Sequence, residues 1–180
     1  MKYIAILFFS TCCLFESNGQ VGKDFPDLDG ENLKHQEVLL PQSTLGKYTL
    51  IGMAYSKRAE KYLKSWFNPT YNLFLLKPEK QSLFDISYDL NVYFIPMFSG
   101  AKRAAYKKVM EKFEKEVDKK LYPYILFYSG SIKDYKSKLD FDGKDVPYFY
   151  LLDENGKIVY NTSGMYTTSK MQEIVDRLPF

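Results

Sequence analysis

The sequence predicts one α/β domain, in which a central mixed β-sheet is flanked by helices and preceded by an N-terminal β-hairpin extension. Three observations support this prediction. Apolar runs of strand length alternate with helical patterns along the chain. Near the C-terminus, the aromatic and β-branched runs 148–152 and 158–160 are joined through residues 153–156, whose Asn-Gly provides the positive φ angles of a tight hairpin turn. The 180 residues are enough for one ordinary domain after a leader segment.

The first residues have the pattern of a secretory signal peptide. Lys2 precedes an apolar run at 4–15, and the polar stretch that follows has Ser17 and Gly19 spaced as a cleavage site before Gln20. The run is too short for a spanning helix, which argues against the alternative of an uncleaved membrane anchor. We therefore predict a signal peptide over residues 1–19 and a single domain over residues 20–180, exported to the periplasm or secreted.

The chain has two cysteines, Cys12 and Cys13, and both lie within this predicted leader. A lipoprotein modified at either cysteine is the second alternative, although the residues before Cys12 make a poor lipobox. Without the leader the domain has no thiol, which excludes disulfide exchange, peroxidatic chemistry and cysteine-ligated metal. The net charge of +3 is too small to predict nucleic-acid binding or strong membrane binding, unless the protein is lipidated. No cofactor or metal is predicted.

The N-terminal half of the domain is predicted to begin with a hairpin formed by residues 25–30 and 38–41, with Asp29-Gly30 at or near its turn. His35, the only histidine, falls in this connection and has no neighbouring ligand residues at suitable spacing, so we predict a surface residue. The continuous apolar run 48–55 predicts a central strand covered on both faces.

A helix is predicted directly after this strand. Ser56 can cap it. Asn68-Pro69 is predicted to end the helix and to begin a second short one through Phe74, with Asn68 as its cap. The first helix has apolar residues at three- and four-residue spacing on one face: Ala59, Tyr62, Leu63, Trp66 and Phe67.

The C-terminal half predicts a strand at 91–98, a helix at 101–121, a short strand or turn at 124–128 and a short helix at 131–139. Val146-Pro147 opens the hairpin described above. A final helix is predicted to begin with a capping box formed by Ser169 and Gln172.

The Val-Pro dipeptide, the aromatic strand, the acidic-Asn-Gly-Lys turn and the second strand resemble the C-terminal hairpin of the thioredoxin-like superfamily, especially its TlpA-like and peroxiredoxin-like secreted members. The resemblance rests also on the order of elements and covers most of residues 25–178. The Ser-Trp-Phe-Asn-Pro run at 65–69 and the late Lys-Ile-Val-Tyr strand also resemble a cysteine-poor branch of this fold that includes a mitochondrial ATP synthase assembly factor family. That resemblance implies chaperone or assembly work rather than redox catalysis.

The resemblance places the usual cysteine pair at the junction of the first central strand and its helix. Either Arg58 and Lys61 occupy the two cysteine positions, or the cysteine turn is deleted and Arg58-Ala59-Glu60 follows directly. In both cases the free N–H groups of the helix start lie beside Ser56, Lys57 and Arg58, an arrangement that suits a carboxylate or phosphate. The alternative is that these are solvated side chains of the first turn.

The resemblance also implies a peptide-binding groove, with Val146, Pro147 and Tyr148 as one wall and Ser56, Lys57 and Arg58 as the other. We predict a cis Val146-Pro147 bond in this groove. The predicted function is an exported, non-redox binding, assembly or chaperone module that captures an extended peptide or protein partner in the cell envelope.

Two alternative functions stay open. A thiol-independent enzyme is one, but Ser56 has no histidine partner, and the carboxylates of Asp140 and Asp142 have no third ligand group. A structural subunit of an envelope assembly, with exposed tyrosines as anchors, is the other.

Overall fold

A computed structural model describes residues 19–76, 88–141 and 143–179. The predicted signal peptide, with Cys12 and Cys13, therefore lies outside the described residues except for Gly19, and so does Asp142. The first buried side chain is that of Gln20, whose amide nitrogen donates to the Asp140 carboxylate.

Seven strands form one mixed sheet in the order β2-β1-β5-β4-β3-β6-β7, as the sequence predicts for an α/β domain. The central strand β3 pairs in parallel with β4 and antiparallel with β6. The strands are β1 (Leu28–Asn32), β2 (Glu37–Leu40), β3 (Tyr48–Ala54), β4 (Leu90–Phe98), β5 (Leu126–Ser129), β6 (Tyr148–Leu152) and β7 (Ile158–Ser163).

The α-helices are short, and several continue as 3-10 or π-helical turns. They are α1 (Lys57–Leu63), α2 (Phe67–Thr70), α3 (Tyr106–Glu116), α4 (Lys133–Leu139) and α5 (Thr168–Val175). The 3-10 helices that bear on the site are Lys64–Trp66, which extends α1, and Gly100–Ala105, which precedes α3.

The sheet separates two hydrophobic layers. Helices α1, α3 and α5 cover one face, with residues such as Leu63, Phe113 and Ile174 in the first layer. Helix α4 and the segment before β1 cover the other face. Trp66 is fully buried in the first layer, where its ring stacks on Phe149 at a centroid distance of 4.0 Å. Trp66 thus packs the C-terminal extension of α1 against the sheet.

The predicted turn of the N-terminal hairpin is wrong. Asp29 and Gly30 lie inside β1, and the chain reverses between Asn32 and Glu37, where His35 has a φ of 58°. A glycine is needed at position 30 because β1 lies very close to the neighbouring strand β5. A Cβ atom at this position would lie 2.7 Å from Leu126 Cγ.

Three helix predictions also need correction. The single helix predicted at 101–121 is divided into the 3-10 helix Gly100–Ala105, α3 and a second 3-10 helix at Lys119–Tyr124. Asn68 lies within α2 rather than capping it. The cap of α5 is Thr167, whose hydroxyl accepts from the Lys170 N–H, so Ser169 and Gln172 form no capping box there.

Candidate functional site

The candidate site begins where β3 passes into α1. Only Tyr55 and Ser56 separate the last residue of β3 from the first residue of α1. Ser56 caps the helix as predicted, since its Oγ accepts from the Ala59 N–H at 3.0 Å. The same hydroxyl donates to Asp145 Oδ1 at 2.9 Å. One buried serine therefore joins the start of α1 to the loop that precedes β6.

This hydrogen bond brings the two predicted walls close together. Asp145 immediately precedes Val146, Pro147 and Tyr148, so the loop lies against the residue that begins α1. Among the described residues, none makes a backbone hydrogen bond to Val146. Val146 itself is half-buried.

The predicted cis Val146-Pro147 bond is wrong, because the cis bond of the described chain joins Leu40 and Pro41. The trans isomer is the one that most X-Pro bonds adopt, by about 0.5–1 kcal/mol. On either side of this bond, Asp145 is bound to Ser56, and the Pro147 carbonyl accepts from the Gly164 N–H at 2.9 Å. Pro147 itself is buried.

Tyr148 stabilises the loop through a hydrogen bond and through ring stacking. Its hydroxyl donates to the Gly143 carbonyl at 2.9 Å, which closes the loop onto the strand. Its ring stacks on Phe141 at 4.7 Å, and Phe141 stacks in turn on Tyr55 at 5.5 Å. These contacts leave the Tyr148 ring half-buried in a column of aromatic rings that holds the loop in position.

The basic residues of the predicted site point to solvent. Lys57 and Arg58 are exposed in the first turn of α1, and Lys61 is exposed one turn later. Arg58 Nε donates to the Tyr62 hydroxyl at 3.3 Å, and this hydrogen bond raises the pKa of the guanidinium above its usual range. The side chain stays cationic and is anchored along the helix by Tyr62, and the Asp145 carboxylate of the loop also raises its pKa.

A cavity of about 350 Å³ lies on the opposite side of the α1 start from the Asp145 loop, and the sequence analysis missed it. It is bounded by α1 on one side and by the 3-10 helix Gly100–Ala105 and α3 on the other. Its lining residues are Ala54, Tyr55, Ser56, Lys57, Glu60, Pro96, Met97, Phe98, Lys102, Ala105, Val109 and Lys112. Of the predicted site residues, Ser56 and Lys57 face this cavity.

Two charged side chains shape the cavity. Lys102 reaches back across its mouth and donates from Nζ to the Tyr55 carbonyl at 2.9 Å. Glu60 is half-buried, and burial raises the pKa of its carboxyl, while Lys64 at 3.6 Å opposes that rise. The sequence carries one signal for this cavity: Lys102 follows the Ser-Gly that ends a central parallel strand, where clefts of α/β sheets form.

Within residues 19–76, 88–141 and 143–179, no group of three or more His, Cys, Asp or Glu side chains is arranged to hold a metal ion. His35 is exposed, as predicted, but two carboxylates flank it. Its Nδ1 lies 2.7 Å from Glu31, and Nε2 lies 3.6 Å from Glu114. In the same residues, no helix is both long enough and apolar enough to cross a bilayer.

Solved structures with the same fold are thioredoxin-like proteins. A putative thiol:disulfide interchange protein DsbE from Chlorobium tepidum has a TM-score of 0.57 and 14% identity, over 87% of this chain and 96% of that chain. BsSco, a member of the Sco family of cytochrome c oxidase assembly proteins, has a TM-score of 0.55 and 14% identity, over 85% and 90%. An uncharacterized conserved protein from Geobacillus kaustophilus gives 0.55 and 18%, over 88% and 81%. Identities this low establish the thioredoxin-like fold alone.

Among curated proteins, no sequence matches the chain. A family model described as ATP10 protein matches residues 7–177, which is nearly the whole chain. The predicted resemblance to the thioredoxin-like superfamily and to its assembly-factor branch is confirmed, and it supports an assembly module with protein partners. This chain therefore belongs to the ATP10 protein family.

Proposed function

We propose that this protein is an exported, non-redox assembly module that captures an extended segment of a partner protein between the Asp145–Tyr148 loop and the start of α1. The observation that carries the proposal is the 2.9 Å hydrogen bond from Ser56 to Asp145. It holds the loop beside the helix start, where the Val146 backbone lies near the exposed cations Lys57 and Arg58, which also border the cavity on the other side of α1.

Each side of this groove offers a different interaction. The Val146 amide and carbonyl provide the hydrogen bonds of one more strand, which is how an extended peptide adds to a sheet. The two exposed cations at the helix start attract a carboxylate on the captured segment. The backbone hydrogen bonds would then provide most of the affinity, and the cations would provide a preference for acidic partners.

The chemistry of the chain favours binding over thiol catalysis. The thiolate is the nucleophile in thioredoxin-type reactions. Both cysteines of the sequence, Cys12 and Cys13, lie in the predicted leader, and the helix start carries Ser56, Lys57 and Arg58 instead. We expect the protein beginning at Gln20 to leave insulin disulfides and peroxides unreduced. Turnover that a named point mutation abolishes would show the opposite.

A pull-down tests the groove. The bait is the protein beginning at Gln20, and the prey is a detergent extract of the cell envelope. Lys57→Glu/Arg58→Glu should lose the partner recovered by the wild type, because it reverses the charge of one wall. Lys107→Glu/Lys108→Glu is the matched control, since it makes the same charge change at exposed positions on α3 that line neither wall. Equal recovery by both double variants would refute the groove.

The predicted export is tested separately by intact mass after expression in a secreting bacterium. We expect a chain that begins at Gln20. A mass corresponding to an acylated chain beginning at Cys12 or Cys13 would establish a lipoprotein, whose membrane affinity would come from its lipid.

A further inference from the structure

A second surface lies on the other flank of α1. We define the α1–α3 cleft as the cavity described above together with an adjoining, more open depression of about 520 Å³, with which it shares Lys57, Glu60 and Lys112. We propose that this cleft docks an acidic segment of a protein partner through one apolar anchor side chain. The inference extends the proposed function to a new surface and does not depend on the groove beside Asp145.

The inner part of the cleft is apolar. Pro96, Met97 and Phe98, at the carboxyl end of β4, line it together with Ala54. Val109 of α3 is half-buried in its wall, so the apolar surface is reachable from solvent. A volume of about 350 Å³ is at the lower end of the range for ligand pockets, which suits a single anchoring side chain.

The rim of the cleft is strongly basic. Six cationic side chains and the single carboxylate of Glu60 line the two parts, whereas the whole 180-residue chain has a net charge of only +3. The cations are Lys57, Arg58, Lys61, Lys64, Lys102 and Lys112. Among the described residues, none forms an ion pair with Lys57 or Lys61. Lys64 lies 3.6 Å from both Glu60 and Glu116, and Lys112 lies 3.5 Å from Glu116, so these two cations are partly neutralised. The positive charge of Lys57 and Lys61 is complementary to an acidic partner.

The arrangement of the cations favours a peptide over a small anionic amphiphile. Lys57, Lys61 and Lys64 recur at four- and three-residue spacing along α1 and its 3-10 extension, so they form one row. At a rise of about 1.5 Å per residue this row is roughly 10 Å long. A single carboxylate headgroup reaches only one end of it. An extended segment advances about 3.3 Å per residue, so three of its residues span the row.

The test uses a fluorescent, glutamate-rich peptide with a single phenylalanine at its centre, titrated with the protein that begins at Gln20 and followed by anisotropy. The key variant is Ala105→Phe, which places a ring in the cavity from an exposed position on its rim. Ala104→Phe is the matched control, because Ala104 is an exposed neighbour on the same 3-10 helix outside the lining. Urea unfolding of both variants checks that the fold is retained.

We expect the wild type and Ala104→Phe to bind the peptide equally, and Ala105→Phe to weaken binding by about tenfold or more. Lys61→Glu/Lys112→Glu should weaken it to a similar extent, and the affinity should fall as salt is added. Replacing the peptide's phenylalanine by alanine should have the same effect as filling the cavity.

Two outcomes overturn the proposal. One is peptide binding that is absent, or that Ala105→Phe leaves unchanged. The other is decanoate displacing a fluorescent fatty acid from the cavity while the acidic peptide does not compete, which would make the cleft an anionic-amphiphile site. Lys57 and Arg58 border both surfaces, so the pull-down is repeated with Ala105→Phe. Loss of the partner with Lys57→Glu/Arg58→Glu but not with Ala105→Phe assigns the partner to the Asp145 groove, and loss with both assigns it to the α1–α3 cleft.

Discussion

Replacing Ser56 by alanine removes two hydrogen bonds that share one oxygen atom. The first is the cap of α1, in which Ser56 Oγ accepts from the Ala59 N–H, and its loss costs about 1 kcal/mol. The second is the bond to Asp145. Asp145 is exposed and its carboxylate regains water in the variant, so this bond contributes only about 0.5–1 kcal/mol. We therefore expect Ser56→Ala to lower the free energy of unfolding by about 2 kcal/mol.

Urea unfolding measures this loss. With a slope of about 2 kcal/mol/M, the midpoint should fall by about 1 M and the slope should stay constant. Thr167→Ala is the matched comparison, because the Thr167 hydroxyl caps α5 by accepting from the Lys170 N–H and holds no loop. Its cost should be about 1 kcal/mol.

A double-mutant cycle between Ser56→Ala and Asp145→Ala separates the two effects. The coupling free energy should be about 0.5–1 kcal/mol if the hydroxyl holds the loop in solution. A coupling of zero, together with a Ser56→Ala cost no larger than that of Thr167→Ala, would refute the reasoning. The loop would then keep its position without Ser56.

Three further predictions follow from particular environments. Gly52→Ala should destabilise the fold by about 1–3 kcal/mol in urea unfolding, because its Cβ would lie 2.5 Å from Phe149 Cε1; unchanged stability would contradict this packing. Burial raises the pKa of Glu60 above its usual 4.5, so the folded state binds that proton more tightly than the unfolded state does. The free energy of unfolding of the wild type, relative to that of Glu60→Gln, should therefore fall as the pH rises from 4.5 through the raised pKa. A difference that stays constant with pH would contradict this. The pKa of His35, raised above 6.5 by its hydrogen bond to Glu31, should drop toward that value in Glu31→Gln when its proton NMR signal is titrated; an unmoved midpoint would exclude that bond.

The central strands and the C-terminal hairpin were predictable because their signals are local. The continuous apolar run of β3 identifies a strand covered on both faces. Gly156 has a φ of 79° in the turn between β6 and β7, as predicted, whereas Asn155 does not have the positive φ that was also predicted for it. The cap at Ser56 is local too, because the acceptor and the Ala59 N–H are three residues apart.

The wrong predictions involve distant contacts. Asp29-Gly30 has the sequence signal of a turn. Position 30 needs a glycine, however, because β1 packs closely against Leu126, which lies far along the chain. The bond before Pro147 has the trans isomer that most X-Pro bonds adopt, and the residues adjacent to it do not specify the isomer. The α1–α3 cleft arises only when the helix after β4 packs beside α1, so its one local signal, Lys102 after the end of β4, does not define its lining.

The most direct test of the proposed function is site-specific photocrosslinking. A photoreactive amino acid is placed at position 146, in the groove, or at position 155, in the exposed turn between β6 and β7. We predict that the protein beginning at Gln20 crosslinks one partner from position 146, that position 155 does not, and that Lys57→Glu/Arg58→Glu abolishes the product. Equal crosslinking from both positions, or a product that this double variant leaves unchanged, would contradict capture in the groove.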